Sequence, residues 1–178
     1  MKRLYNSQFN KYRSKDDCIE IRNLDSGDLD QLFALVSEVY RELPESMWFD
    51  REPSLAEFRH IFEEKIDDAF SGKSIDIVAT EGGRITGECE MVRKPGEIGF
   101  LGLIVSKNSR RKGVGSSLLS GAAERCRYIG VSVIRAEISS GNKEAIRFLQ
   151  DHGFVPDLSK ERHDERLKRR IAILERRA

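Results

Sequence analysis

Residues 103–116 read Leu103-Ile104-Val105-Ser106-Lys107-Asn108-Ser109-Arg110-Arg111-Lys112-Gly113-Val114-Gly115-Ser116. A short apolar run leads into a polar turn with three consecutive cations, and two glycines follow, spaced by one residue. Downstream, Val114, Leu118, Leu119, Ala122, Ala123 and Cys126 fall on one face at the helical period. The stretch is therefore strand, basic glycine turn, helix. The first N–H groups of a helix have no partner within it and carry partial positive charge, so such a turn suits a phosphorylated ligand. Gly113 and Gly115 let the backbone approach, and Arg110, Arg111 and Lys112 add formal charge, arginine with a fork that matches phosphate oxygens. A diphosphate fits this turn. The dinucleotide fingerprint needs a third glycine where Leu118 stands, and the P-loop needs Gly-Lys-Ser/Thr, which is absent.

The spacing Arg110-x-x-Gly113-x-Gly115 resembles the acetyl-CoA signature of the GCN5-related N-acetyltransferases (GNAT). One strand and one helix later, Asn142-Lys-Glu-Ala145-Ile-Arg-Phe148-Leu-Gln-Asp-His-Gly153-Phe154 is similar to a second pattern of that family, Asn-x-x-Ala-x-x-Phe/Leu-Tyr-x-x-x-Gly-Phe. A hairpin signal, Ala79-Thr80-Glu81-Gly82-Gly83, precedes both. Against two motifs in order, the bland reading of a solvated basic loop loses weight.

The remaining chain agrees in element order. Ile19 and Ile21 alternate with Glu20 and Arg22 as a first strand over 18–24, with residues 1–17 as a flexible or loosely docked extension and 18–178 as a single domain. Asp25-Ser26-Gly27-Asp28 offers a turn and cap, followed at helical spacing by Leu29, Leu32, Phe33, Val36, Val39 and Tyr40. Pro44 ends that helix, and Met47, Trp48 and Phe49 form either a pocket wall or a satellite of the core. Ser54 and Glu57 make a capping box, and the second helix is expected to turn Leu55, Phe58, Phe62, Ile66 and Phe70 to one side. Strands are expected over 75–80, 85–92, 97–105 and 131–138, with Gly99 and Gly102 marking close approach or a ligand. Asn142 caps a last helix. The tail is open between a helix (Leu167, Ile171, Leu174) and a closing strand (Ile171, Ile173); the strand is favoured because it would cover the edge beside 131–138. The fold class is thus α/β, and the resemblance implies a three-layer αβα arrangement with a mixed, mainly antiparallel, splayed central sheet.

Composition narrows the function classes. Charged residues are 34% and apolar ones 39%, with 31 cations against 30 anions. No apolar run reaches the ~18 residues of a membrane span. Near-neutral charge argues against a nucleic-acid partner, although Lys168, Arg169, Arg170, Arg176 and Arg177 form a basic tail. Three cysteines without Cys-x-x-Cys spacing and no secretory leader suggest reduced thiols and a cytoplasmic location. The three histidines are not at metal-ligand spacing, so no metal is expected.

What the resemblance implies is an N-acetyltransferase that brings acetyl-CoA and a primary amine together for direct attack; the amine is a protein N-terminus, a lysine or a small molecule, and a homodimer is compatible with this. Leu103, Ile104 and Val105 would pair with the pantetheine arm, Arg111, Lys112, Gly113, Val114, Gly115 and Ser116 would wrap the diphosphate, Arg110 completes the motif, and Asn142 would reach the cofactor. The tyrosine that many members use as acid falls at Leu149. Glu97 is the first choice as general base, with Glu88 and Glu90 in reserve. The alternative is a GNAT-fold sensor or subunit that binds acyl-CoA without turnover.

Overall fold

The computed structural model describes residues 12–13 and 19–178; the expected extension, apart from residues 12–13, lies outside the described residues, as does Cys18. Strand β1 (Tyr12–Arg13) pairs with β2 (Ile19–Asn23). Helices α1 (Leu29–Glu42) and α2 (Leu55–Ser71) follow, then the meander β3 (Ser74–Glu81), β4 (Arg84–Lys94) and β5 (Ile98–Val105). After α3 (Val114–Cys126) come β6 (Val133–Ser139), α4 (Lys143–Asp151), β7 (Val155–Pro156), β8 (Arg162–Asp164) and β9 (Arg169–Arg177). They form one sheet ordered β1-β2-β3-β4-β5-β6-β9-β7, with β8 also on β9. Among the described residues only β5 and β6 pair in parallel.

Local chemistry explains the boundaries. Asp25 and Asp28 make a capping box ahead of α1, and Ser54 and Glu57 make the one expected for α2. Gly72 ends α2 in the left-handed region at φ 76°, where a Cβ would be strained. Gly82 and Gly83, at φ 57° and 80°, turn β3 into β4 as the hairpin signal requires.

Helices lie on both faces of the sheet. One core joins the sheet to α3 and α4 through Ile77, Cys89, Met91, Val114, Leu118, Ala122, Ile134, Leu149 and Phe154. The other joins it to α1 and α2 through Leu32, Val36, Val39, Phe58, Phe62 and Val78. Met47 belongs to this second core, while Trp48 stays 40% exposed beneath the Arg169 guanidinium. The expected apolar face of α2 is shorter than its spacing suggests. Phe70, in the last turn of α2, is 73% exposed. The tail is a strand, as the uncovered edge demanded, and pairs with β6 from Val133↔Arg177 to Ser139↔Ile171. It is not an edge, however: β7 and β8 pair with β9 on its other side.

Candidate active site

The site begins where the sheet comes apart. β5 and β6 pair only from Ile98↔Val133 to Leu101↔Ala136, and beyond this point Gly102–Val105 and Glu137–Ser139 diverge. The two strand glycines therefore do different work. A Cβ on Gly99 would lie 2.8 Å from the Met91 sulfur and 2.9 Å from Val131, a packing constraint, whereas one on Gly102 would meet nothing closer than 3.8 Å. Gly102 stands at the split.

The ladder alternates, and its phase is set by the Ser106 N–H, which donates to the Thr86 carbonyl of β4 at 2.8 Å. Backbone groups of Ile104 and Gly102 thus point to β4, and those of Leu103 and Val105 point to the open side. Among the described residues no strand pairs with them there. Part of this edge is taken by Arg110, whose Nε donates to the Val105 carbonyl at 3.1 Å.

Directly after β5 the chain turns through residues 106–113 into α3. Arg111 and Gly113 adopt φ values of 62° and 84°, and the Ser117 N–H donates to the Gly113 carbonyl. The N–H groups of Val114, Gly115 and Ser116 consequently precede the helix's own ladder. Gly115 is required by close approach: a Cβ there would come within 3.3 Å of the Phe148 ring of α4. Arg111 and Lys112 are exposed. Arg110 is not free for phosphate, because its guanidinium forms a fork on Glu42 of α1 at 3.0 and 2.8 Å. Asn142 accepts from the Ala145 N–H at 3.0 Å and donates to Ser46 at 2.8 Å. Both ends of its amide are occupied, so it caps α4 and ties down the α1–α2 connection.

The expected bases separate. Glu97 is not brought to the split: it stands in the β4–β5 turn at φ 61°, five residues and roughly 17 Å along the strand from Gly102. Glu88 and Glu90 of β4, with Asp76 of β3, surround Lys65 of α2, whose Nζ lies 2.9, 2.8 and 3.2 Å from the three carboxylates. Burial pushes Glu88 up to about 6, partly offset by Lys65, and raises Asp76 as well. Burial works against the Lys65 charge, but the carboxylates outweigh it and raise its pKa.

A carboxylate not singled out beforehand does stand at the split. Glu137 is the first β6 residue beyond the last β5 pairing, and Arg162 of β8 donates to its Oε2 at 2.6 Å. The signal for it was a lone acid in the strand just before the Ser139-Ser140-Gly141-Asn142 turn. The thiols contribute no nucleophile among the described residues. Burial pushes Cys126 up to about 11 and Cys89 well above its ordinary value. A cavity of about 420 Å³ lies to one side, between α1, the β3–β4 turn and residues 106–112, with Glu38, Arg84 and Lys112 on its walls.

The sheet is splayed and mostly antiparallel, and it opens beside an unpaired helix N-terminus. Residues 33–154 match the acetyltransferase (GNAT) family, and the chain belongs to it. Its co-substrate is acetyl-CoA, the acetyl donor of that family. The fold is shared with a GNAT acetyltransferase from Streptococcus pneumoniae (22% identity, TM-score 0.73, 89% of this chain and 98% of that one). It is also shared with a ribosomal-protein-alanine N-acetyltransferase from Brucella melitensis (21%, TM-score 0.74, 89% and 99%). A third is a spermidine N-acetyltransferase from Vibrio cholerae in complex with CoA and spermine (17%, TM-score 0.73, 89% and 95%). No curated protein matches the chain by sequence.

Proposed function

We propose that the protein transfers the acetyl group of acetyl-CoA to a primary amine by direct attack in a ternary complex. The observation that carries this reading is the parting of β5 from β6 after Leu101 and Ala136, beside the unpaired first turn of α3. Acetyl-CoA supplies a thioester whose carbonyl is open to a neutral amine. The Leu103 and Val105 backbone groups offer an extended arm the partners of an added strand. The N–H groups of Val114, Gly115 and Ser116, with Arg111 and Lys112, offer a diphosphate both dipole and charge. The Val105 N–H is the donor for the thioester oxygen as negative charge develops there. Ile104 turns its backbone to β4 and contributes its side chain to the core under α1 instead.

A lysine amine with pKa ~10.4 is neutral in only about one molecule in 2,500 at pH 7, so its proton must be taken. We assign that step to Glu137 in place of Glu97, because Glu137 borders the split and its Oε2 is steadied by Arg162 while Oε1 is left for the acceptor. Glu90, on the neighbouring strand β4, is held by Lys65 of α2. With both described thiols buried and protonated, an acyl-cysteine route has no candidate among the described residues.

The acceptor class is a protein N-terminus, a lysine or a small amine. Two of the similar structures are named for a ribosomal-protein alanine and for spermidine, which spans that range. One observation favours a CoA-binding sensor instead: Leu149, at the tyrosine position, is 3% exposed and packed in the core. A thiol-release assay with a panel of amines and N-terminal peptides separates the two. Turnover on any amine supports the transferase; CoA binding without release on every acceptor supports the sensor.

A further inference from the structure

His152, which follows α4, reaches back to the first turn of α3. Its Nε2 lies 2.9 Å from the Ser116 Oγ and its Nδ1 lies 2.7 Å from the Phe148 carbonyl. A carbonyl oxygen only accepts, so Nδ1 carries a hydrogen. In the neutral imidazole Nε2 is then an acceptor, and the Ser116 hydroxyl must spend its hydrogen on it. In that state Ser116 turns lone pairs toward the anion site. In the imidazolium both ring nitrogens donate, Ser116 accepts from Nε2–H, and its own hydrogen is released for a phosphate oxygen.

We infer that His152 positions the Ser116 hydrogen, so that binding a diphosphate at the α3 turn takes up a proton from water and cofactor affinity falls as pH rises through the imidazole's titration. This rests on the reading of that turn as the diphosphate site. Charged groups lie on the neighbouring elements. Arg176 of β9 donates to the His152 carbonyl at 2.9 Å, and Arg111 and Lys112 lie in the turn that enters α3. Asp151 lies beside His152 in the chain, and an arriving diphosphate brings negative charge to the same turn. The Phe148 ring, with its centroid 4.3 Å from that of His152, limits water on one side. His152 thus acts through Ser116 and is a positioning residue.

The test uses dephospho-CoA, whose diphosphate diester has no phosphate that titrates near neutrality. Its affinity is measured by calorimetry between about pH 5.5 and about pH 8.5, the range that brackets an imidazole. The wild-type affinity is expected to fall roughly tenfold across the range, with about half a proton taken up where the linkage is steepest. His152→Gln and Ser116→Ala should each flatten the profile to within about twofold. Independently of any variant, the NMR titration midpoint of the His152 ring should move to higher pH when dephospho-CoA is added. A flat wild-type profile, a slope retained in both variants, or an unmoved midpoint overturns the inference while leaving the diphosphate site intact. Absence of binding to the folded protein at every pH overturns the site reading itself, and the inference with it.

Discussion

Arg110 and Glu42 face each other in a two-bonded fork, with Nη1–Oε1 at 3.0 Å and Nη2–Oε2 at 2.8 Å, and this pair joins the end of α1 to the turn that leads into α3. The third group of the same guanidinium, Nε, holds the Val105 carbonyl. A motif residue that sequence places on the ligand is thus used to build the ligand's seat.

That relationship separates two roles for Arg110. If it bound phosphate, removing its carboxylate partner would free it and tighten CoA binding. Because it supports the turn, Glu42→Gln should weaken CoA binding several-fold and cost ~1–2 kcal/mol of stability. Arg111→Glu should also weaken binding, but with a steeper salt dependence, since Arg111 is exposed and acts through charge. Titrations of both variants at two ionic strengths distinguish them.

Gly113 has open space where a Cβ would stand, but its φ is 84°. Gly113→Val should therefore act through backbone strain, costing ~1–2 kcal/mol in the turn, and should weaken CoA binding while α3 remains folded. Gly115→Val should act through collision with Phe148, which lies within 3.3–3.4 Å of the new Cβ. Circular dichroism and CoA affinity together check both; unchanged affinity in a folded Gly113→Val protein removes the diphosphate from this turn.

Glu137→Gln should lower turnover at neutral pH by roughly 10²-fold or more without weakening CoA binding, and part of the loss should return at higher pH as free amine accumulates. Glu97→Gln should leave the pH–rate profile as it is. The reverse pattern would restore Glu97 to the mechanism.

The Lys65 cluster predicts a pH-dependent stability. Glu88 is raised from 4.5 to about 6 in the folded protein, so the folded state binds this proton more tightly than the unfolded chain. Stability from this group is full below about 4.5 and is lost as pH rises through about 6, a change of ~2 kcal/mol. Denaturant unfolding across this window should show Glu88→Gln gaining on the wild type as pH rises. Lys65→Met, which leaves three carboxylates without their cation, should destabilise by ~3–5 kcal/mol at neutral pH.

Several features were legible before any tertiary structure because they depend on residues close in the chain. The capping box of Ser54 and Glu57, the Gly82-Gly83 hairpin, the helical face of Val114, Leu118, Leu119 and Ala122, and the glycine turn before α3 are short-range chemistry with a fixed period. Even the strand at the C-terminus followed from an edge that needed covering. What the sequence could not reveal was which polar groups meet. Arg110 reads as a phosphate ligand until Glu42, on another helix, arrives to claim it. Asn142 reads as both cap and cofactor contact until Ser46 takes its amide. Glu97 and Glu137 are equivalent as acids in strands; only the register of β5 on β6, ending at Leu101 and Ala136, puts one at the split and the other at the far turn. Local propensity is written into neighbouring residues, whereas the partner of a charge comes from packing between distant elements, and that partner decides whether a side chain binds, catalyses or holds the fold together.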